Sequence, residues 1–146
     1  MKKRVIISAC ILGDICRYDG KKKEFSSVVE AFSEYEIVPF CPETPLFGTP
    51  RERISVVRVD DDERIITDET ECDVTPRLEC EIEKFIEKNP NVDAIVLKSK
   101  SPSCGFRTTP ILNKQREKIA LGDGIAAKIF QKKYKNIEIK DENSYL

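Results

Sequence analysis

Six cysteines and no histidine stand in this 146-residue chain, so thiols and carboxylates must supply any metal ligand, nucleophile or base. Cys10 and Cys16 lie in "ISACILGDICRYDG" (7–20) with five residues between them, followed by Cys41, Cys72, Cys80 and Cys104. Structural zinc usually takes close pairs spaced C-x2–4-C, or histidines, and the chain has neither. A redox pair lacks its CxxC, and a cysteine nucleophile lacks its usual histidine base. An iron–sulfur cluster fits better, because it takes thiolates from loops far apart in sequence and needs no histidine. Were only three thiolates to hold four irons, one iron would stay open to a substrate. The competing reading is burial, since free cysteine is among the most buried residue types. Cys72, before an expected helix, and Cys80, off that helix's apolar stripe, read as such core residues.

Bulk properties narrow the choice. A chain of this length buries roughly two-thirds of its unfolded surface in one domain, 1–146, and needs no disulfide staples. The charges nearly cancel, with 25 Lys and Arg against 26 Asp and Glu, which argues against a dominant nucleic-acid footprint. Lys21, Lys22 and Lys23 read as a solvated turn. "VIISACILG" runs straight into Asp14, Arg17 and Asp19, unlike a signal peptide, and no stretch approaches the ~20 apolar residues of a membrane span. A cytoplasmic protein is expected, with its thiols reduced and disulfides disfavoured.

The elements that must position these residues follow from periodicity. "RVIIS" (4–8) and "DAIVLKS" (93–99) read as strands buried on both faces. "EIVPF" (36–40) reads as a strand whose Pro39 implies an edge or an end. "SSVVEAFSEY" (26–35) predicts a helix capped by Ser26 or Ser27. "TPRLECEIEKFIEKN" (75–89) predicts one capped by Thr75, with Pro76 in first position and Leu78, Ile82, Phe85 and Ile86 on its apolar face. Asp123 is expected to cap a last helix over 124–134, before a strand in "NIEIK" (136–140). "RISVVRV", "DDDE" and "RIIT" predict a β-hairpin. The proline-rich 41–51 and the segment 100–110 read as loops. Strands alternating with helices predict a single Rossmann-like α/β domain, with a mostly parallel sheet flanked by helices plus a small β-hairpin. Cys10, Cys41 and Cys104 each follow a predicted strand, at the edge where open α/β sheets bind ligands.

Five segments, "SACILGDICRYDGKKK" (8–23), "PFCPE" (39–43), "CDVTPR" (72–77), "LKSKSPSCG" (97–105) and "GDGIAAKIF" (122–130), resemble in order and spacing the motifs of the thiouracil desulfidase family. The resemblance implies a Rossmann-like domain with a [4Fe-4S] cluster on Cys10, Cys16 and Cys104. It also implies an open fourth iron that takes the sulfur of a thiolated pyrimidine or nucleotide. Water then replaces sulfur without redox change, and sulfide is left. Glu43 and Ser101 occupy positions associated with catalysis, and Asp19 and Lys100 are weaker candidates. Cys41 reads equally as a thiol near the cluster or as core. A carboxylate is the natural base without histidine, and Pro42 and Pro45 stiffen the loop around Glu43; the bland alternative for Glu43 is capping of backbone amides. Other expectations are sulfur insertion into tRNA uridine and a non-catalytic thiol or metal-binding module. The chain departs from the family where "LFGTPR" replaces a glycine-rich segment and where Cys72 replaces a small residue, so the loop around Phe47 is expected to shape its own pocket.

Overall fold

The computed structural model describes residues 2–12, 26–48 and 52–145. Cys16, Asp19 and the Lys21–Lys23 turn lie outside them. The central strand β1 (Arg4–Ser8) runs parallel to β2 (Glu36–Phe40) and β5 (Ala94–Leu97), and β5 to β8 (Ile139–Asp141), in the order β2-β1-β5-β8. Pro39 sits in the edge strand β2, where its missing N–H interrupts no ladder.

Alternation along these strands explains why their apolar runs are continuous. Ile6, Ile95 and Leu97 join one core cluster, whereas Val5, Ile7 and Val96 join another with Val28 and Phe32. Side chains on a strand alternate between faces, so a sheet covered on both sides needs every position apolar. Helix α1 (Ser26–Ala31) covers the second face, while α3 (Thr75–Lys88) and α4 (Ile125–Lys133) pack in the first cluster. Leu78 and Ile82 are fully buried on α3, and Phe85 and Ile86 pack beside them, as the helical spacing predicts.

The hairpin of β3 (Ile54–Val59) and β4 (Asp62–Thr67) turns through Asp60 and Asp61, both with positive φ (50° and 67°) as a two-residue hairpin turn demands. It is half of a second four-stranded sheet, β4-β3-β6-β7, completed by β6 (Thr109–Leu112) and β7 (Lys118–Gly122). The sequence predicts no strand over 109–122. A short helix, α2 (Thr44–Phe47), likewise stands inside the predicted 41–51 loop.

Two expected caps are absent. The helix cap of α3 is Val74; the Thr75 hydroxyl instead accepts the Ile65 N–H at 2.7 Å, binding the helix to β4, while Asp73 accepts the Thr75 N–H at 2.9 Å. Gly124 caps α4, and Asp123 accepts from the Arg107 N–H at 2.7 Å and from Gln131. The cysteines also differ from expectation: Cys72 and Cys80 are exposed, not core residues.

Candidate functional site

Parallel pairing sets the C-terminal ends of β2, β1 and β5 side by side, so the residues that follow them converge. Cys10 lies in the single 3-10 turn after β1, Cys41 directly after β2, and Cys104 in the loop after β5. Cys104 is buried at 6% exposure. Burial pushes its thiol well above the ordinary value, and Cys10, Cys41 and Glu43 stand close enough to raise it further; a hydrogen bond from Ser8 opposes them. The Cys41 thiol shares a 3.2 Å hydrogen bond with the Thr44 hydroxyl. Among the described residues no three Cys, Asp or Glu side chains form a metal-binding group.

Glu43 occupies the N-cap position of α2 but makes no side-chain cap bond. Its carboxylate instead accepts the Ser103 hydroxyl at 2.7 Å. That bond ties the loop after β2 to the loop bearing Cys104.

Ser101 builds this second loop. Its hydroxyl accepts the N–H groups of Ser103 (3.2 Å) and Cys104 (3.0 Å), and its carbonyl accepts the Gly105 N–H (2.8 Å) and the Thr109 hydroxyl (2.7 Å). Neither hydroxyl bond uses the Ser101 proton. The loop then seats on α4, whose first N–H groups have no partner within the helix. Gly124, Ile125 and Ala126 donate to the carbonyls of Gly105 (2.7 Å), Pro102 (3.1 Å) and Ser103 (2.7 Å). A Cβ on Gly124 would lie 2.6 Å from the Ser103 carbonyl carbon and 2.8 Å from the Cys104 nitrogen, which explains "GDG" before this helix. Lys100 is exposed, with φ at 65° and its N–H donating to Thr108.

Three residues at this edge escape the sequence reading. Ser8, 1% exposed, accepts the Lys98 N–H at 2.9 Å. Ser103, 0% exposed, orients Glu43. Glu142 is buried under the end of β5, where it accepts from the Ser99 N–H (2.8 Å), the Ser99 hydroxyl (2.7 Å) and Lys98 Nζ (2.8 Å). Ser103 stands beside Cys104 in "SPSCG" and Ser8 ends an apolar run, so both carry a signal; Glu142, in a polar tail, carries none.

Phe47 shapes a separate cavity of about 410 Å³ with Thr67, Thr70, Cys72 and Arg77, and the Arg77 guanidinium lies 5.0 Å from its ring centroid. The departures at Phe47 and Cys72 thus meet in one place.

A Rossmann-like domain that gathers thiols and a buried serine–carboxylate pair at one sheet edge defines a cysteine-rich α/β class. Residues 5–142 match the model of the 2-thiouracil desulfurase family, and the chain belongs to that family. YbbK, an uncharacterized protein of Bacillus subtilis, is 30% identical over 111 residues, spanning 69% of this chain and 72% of its own. The structure of TudS, a [4Fe-4S]-dependent thiouracil desulfidase, superposes with a TM-score of 0.71 at 26% identity, covering 98% of this chain and 93% of that one.

Proposed function

We propose that this chain is a [4Fe-4S]-dependent desulfidase of a thiolated pyrimidine, free or as a nucleotide, acting in the cytoplasm. The observation that carries this reading is the pair at the sheet edge: a carboxylate held by a buried serine, in electrostatic contact with a buried thiol. The donor set fits the cluster. Cys104 is a desolvated thiol among like-charged neighbours, a setting that a bound cationic iron centre would convert to a thiolate. Cys10, Cys16 and Cys104 would hold the cluster, leaving one iron open. When bound, it supplies a thiophilic Lewis acid that polarises C=S.

The protein's own groups do the rest. Glu43 takes a proton from the attacking water, the step that needs a base in a site without histidine. Ser103 fixes that carboxylate through its hydroxyl, and the stiff α2 turn limits its reach. Ser101 offers its unused proton to the pyrimidine edge or to the water. The reaction exchanges C=S and water for C=O and hydrogen sulfide, with no change of oxidation state.

Anaerobic reconstitution should give about four irons per chain. The thiocarbonyl ultraviolet band should then decay, with sulfide release, on adding thiouracil or thiouridine monophosphate. Thiolated tRNA is the third substrate arm. A colourless protein that keeps its activity after iron chelation overturns the reading; a loaded protein that leaves all three untouched favours sulfur insertion.

A further inference from the structure

We propose that Glu142 is a positioning residue for Ser101: its carboxylate carries the sheet past the end of β5 and fixes where the Ser101 loop begins. This rests on the role given to Ser101 in the desulfidase reading above. Pairing of β5 with β1 ends at Ile7 and Val96, and pairing with β8 ends at Leu97 and Asp141. Successive N–H groups along a strand point to alternate neighbours, and each buried one needs an acceptor. Where the ladders stop, side chains take over. The Ser8 hydroxyl, at the end of β1, accepts the Lys98 N–H at 2.9 Å. Glu142, the residue after β8, accepts the Ser99 N–H at 2.8 Å. Both neighbours of β5 thus hold it beyond the last backbone pair.

Glu142 is built to hold. It is 3% exposed, and its Oε2 also accepts the Ser99 hydroxyl (2.7 Å) and Lys98 Nζ (2.8 Å). Hydrogen bonds to an ionised group are shorter and stronger than neutral ones. Its own place is set by Tyr145, whose ring meets Phe32 edge-on at 5.4 Å in the core beneath α1. Ser101 stands two residues beyond this clamp, and its hydroxyl gathers the Ser103 and Cys104 N–H groups. A displacement of Ser99 therefore reaches the Ser101 hydroxyl with little chain between to absorb it.

The test uses the reconstituted full-length protein at matched iron content. Glu142→Gln sets a donating amide against two donors, Lys98 Nζ and the Ser99 hydroxyl, and should slow turnover about tenfold through misplacement. In a Ser101→Ala background it should cost little more, because residues that act through one another are not additive. Amide exchange across residues 98–105 should quicken in the same variant. Tyr134→Phe is the control for lost stability: it deletes a buried 2.6 Å hydrogen bond to Asn89, at the opposite end of the sheet beside Arg4. It should lower the melting temperature without quickening that exchange. Wild-type turnover in iron-replete Glu142→Gln overturns the proposal, as does a loss that adds in full to that of Ser101→Ala. Should Glu142→Gln fail to fold, Ser99→Ala, which deletes one bond of the clamp, carries the same comparison in both backgrounds. Full turnover in Ser101→Ala would instead overturn the role of Ser101 itself, so the two failures are distinguishable.

Discussion

The Ser103 hydroxyl donates to the Glu43 carboxylate at 2.7 Å, joining residues 60 positions apart, with Ser103 fully buried. A buried hydroxyl bonded to a carboxylate keeps it in one orientation. That is the arrangement a general base needs between turnovers.

Glu43→Gln should therefore bind iron normally and lose turnover by about 10²–10⁴-fold, the usual worth of a positioned base. Ser103→Ala removes this hydrogen bond from the carboxylate, and should cost about tenfold to a hundredfold through misplacement. Single-turnover rates at matched iron content check both. Equal loss in each, together with lost iron, would make the pair a structural strut instead.

Gly124→Ala should damage the loop bearing Cys104 selectively. The added Cβ meets Ser103 and Cys104 backbone at 2.6–2.8 Å, and backbone cannot swing aside as a flexible side chain would. Overpacking of this kind costs about 1–3 kcal/mol. Reduced iron occupancy in a folded protein is expected. Gly48→Ala is the contrast: its φ of 73° makes the change strained, but nothing lies within 4 Å of the new Cβ, so iron content should hold.

Acid should unlatch the end of β5. Burial alone would raise the Glu142 pKa, yet Lys98 and Ser99 together hold it below the ordinary 4.5. A carboxyl lowered in the folded state stabilises above its unfolded pKa, and that stability is lost as pH falls through the folded value. The loss therefore begins near pH 4.5 and grows below it. Glu63 and Asp73 are lowered too, so the informative quantity is wild type minus variant. Glu142→Gln should lose about 3 kcal/mol at neutral pH, as expected for breaking a buried ion pair. Its gap to wild type should narrow in acid. Chemical denaturation at pH 7 and pH 3.5 measures both.

What the sequence discloses here depends on how locally each feature is encoded. β1 and β5 are legible because a sheet covered on both faces demands unbroken apolar runs, and "RVIIS" and "AIVL" are such runs. From two parallel strands the shared edge follows, and with it the convergence of the segments bearing Cys10 and Cys104. β7 is hidden for the opposite reason. Its large residues Ile119 and Leu121 are 46% and 57% exposed, while the small Ala120 packs on the core, so its alternation points the wrong way. Thr75 misleads similarly: a good capping residue is taken by a long-range bond to Ile65. Glu142 gains meaning only when β8 brings the tail under β5, a contact that no local pattern announces.

Cys72 and Cys80 provide the last test of the ligand choice. Both thiols are exposed, whereas Cys104 is buried beside Cys10, Cys41 and Glu43. Cys80 lies within α3, and Cys72 is held by Thr67, which accepts its N–H at 2.7 Å, while its thiol reaches the Thr70 carbonyl at 3.7 Å. A serine at either position keeps these backbone bonds and changes stability by no more than about 0.5 kcal/mol, as for other surface substitutions. Cys72→Ser and Cys80→Ser should therefore retain full iron, while Cys10→Ala, Cys16→Ala and Cys104→Ala each lose it. In the loaded wild-type protein an alkylating reagent should label Cys72 and Cys80 first, because reaction follows access. Iron loss in Cys72→Ser or Cys80→Ser equal to that in Cys104→Ala would move the ligand set away from the sheet edge.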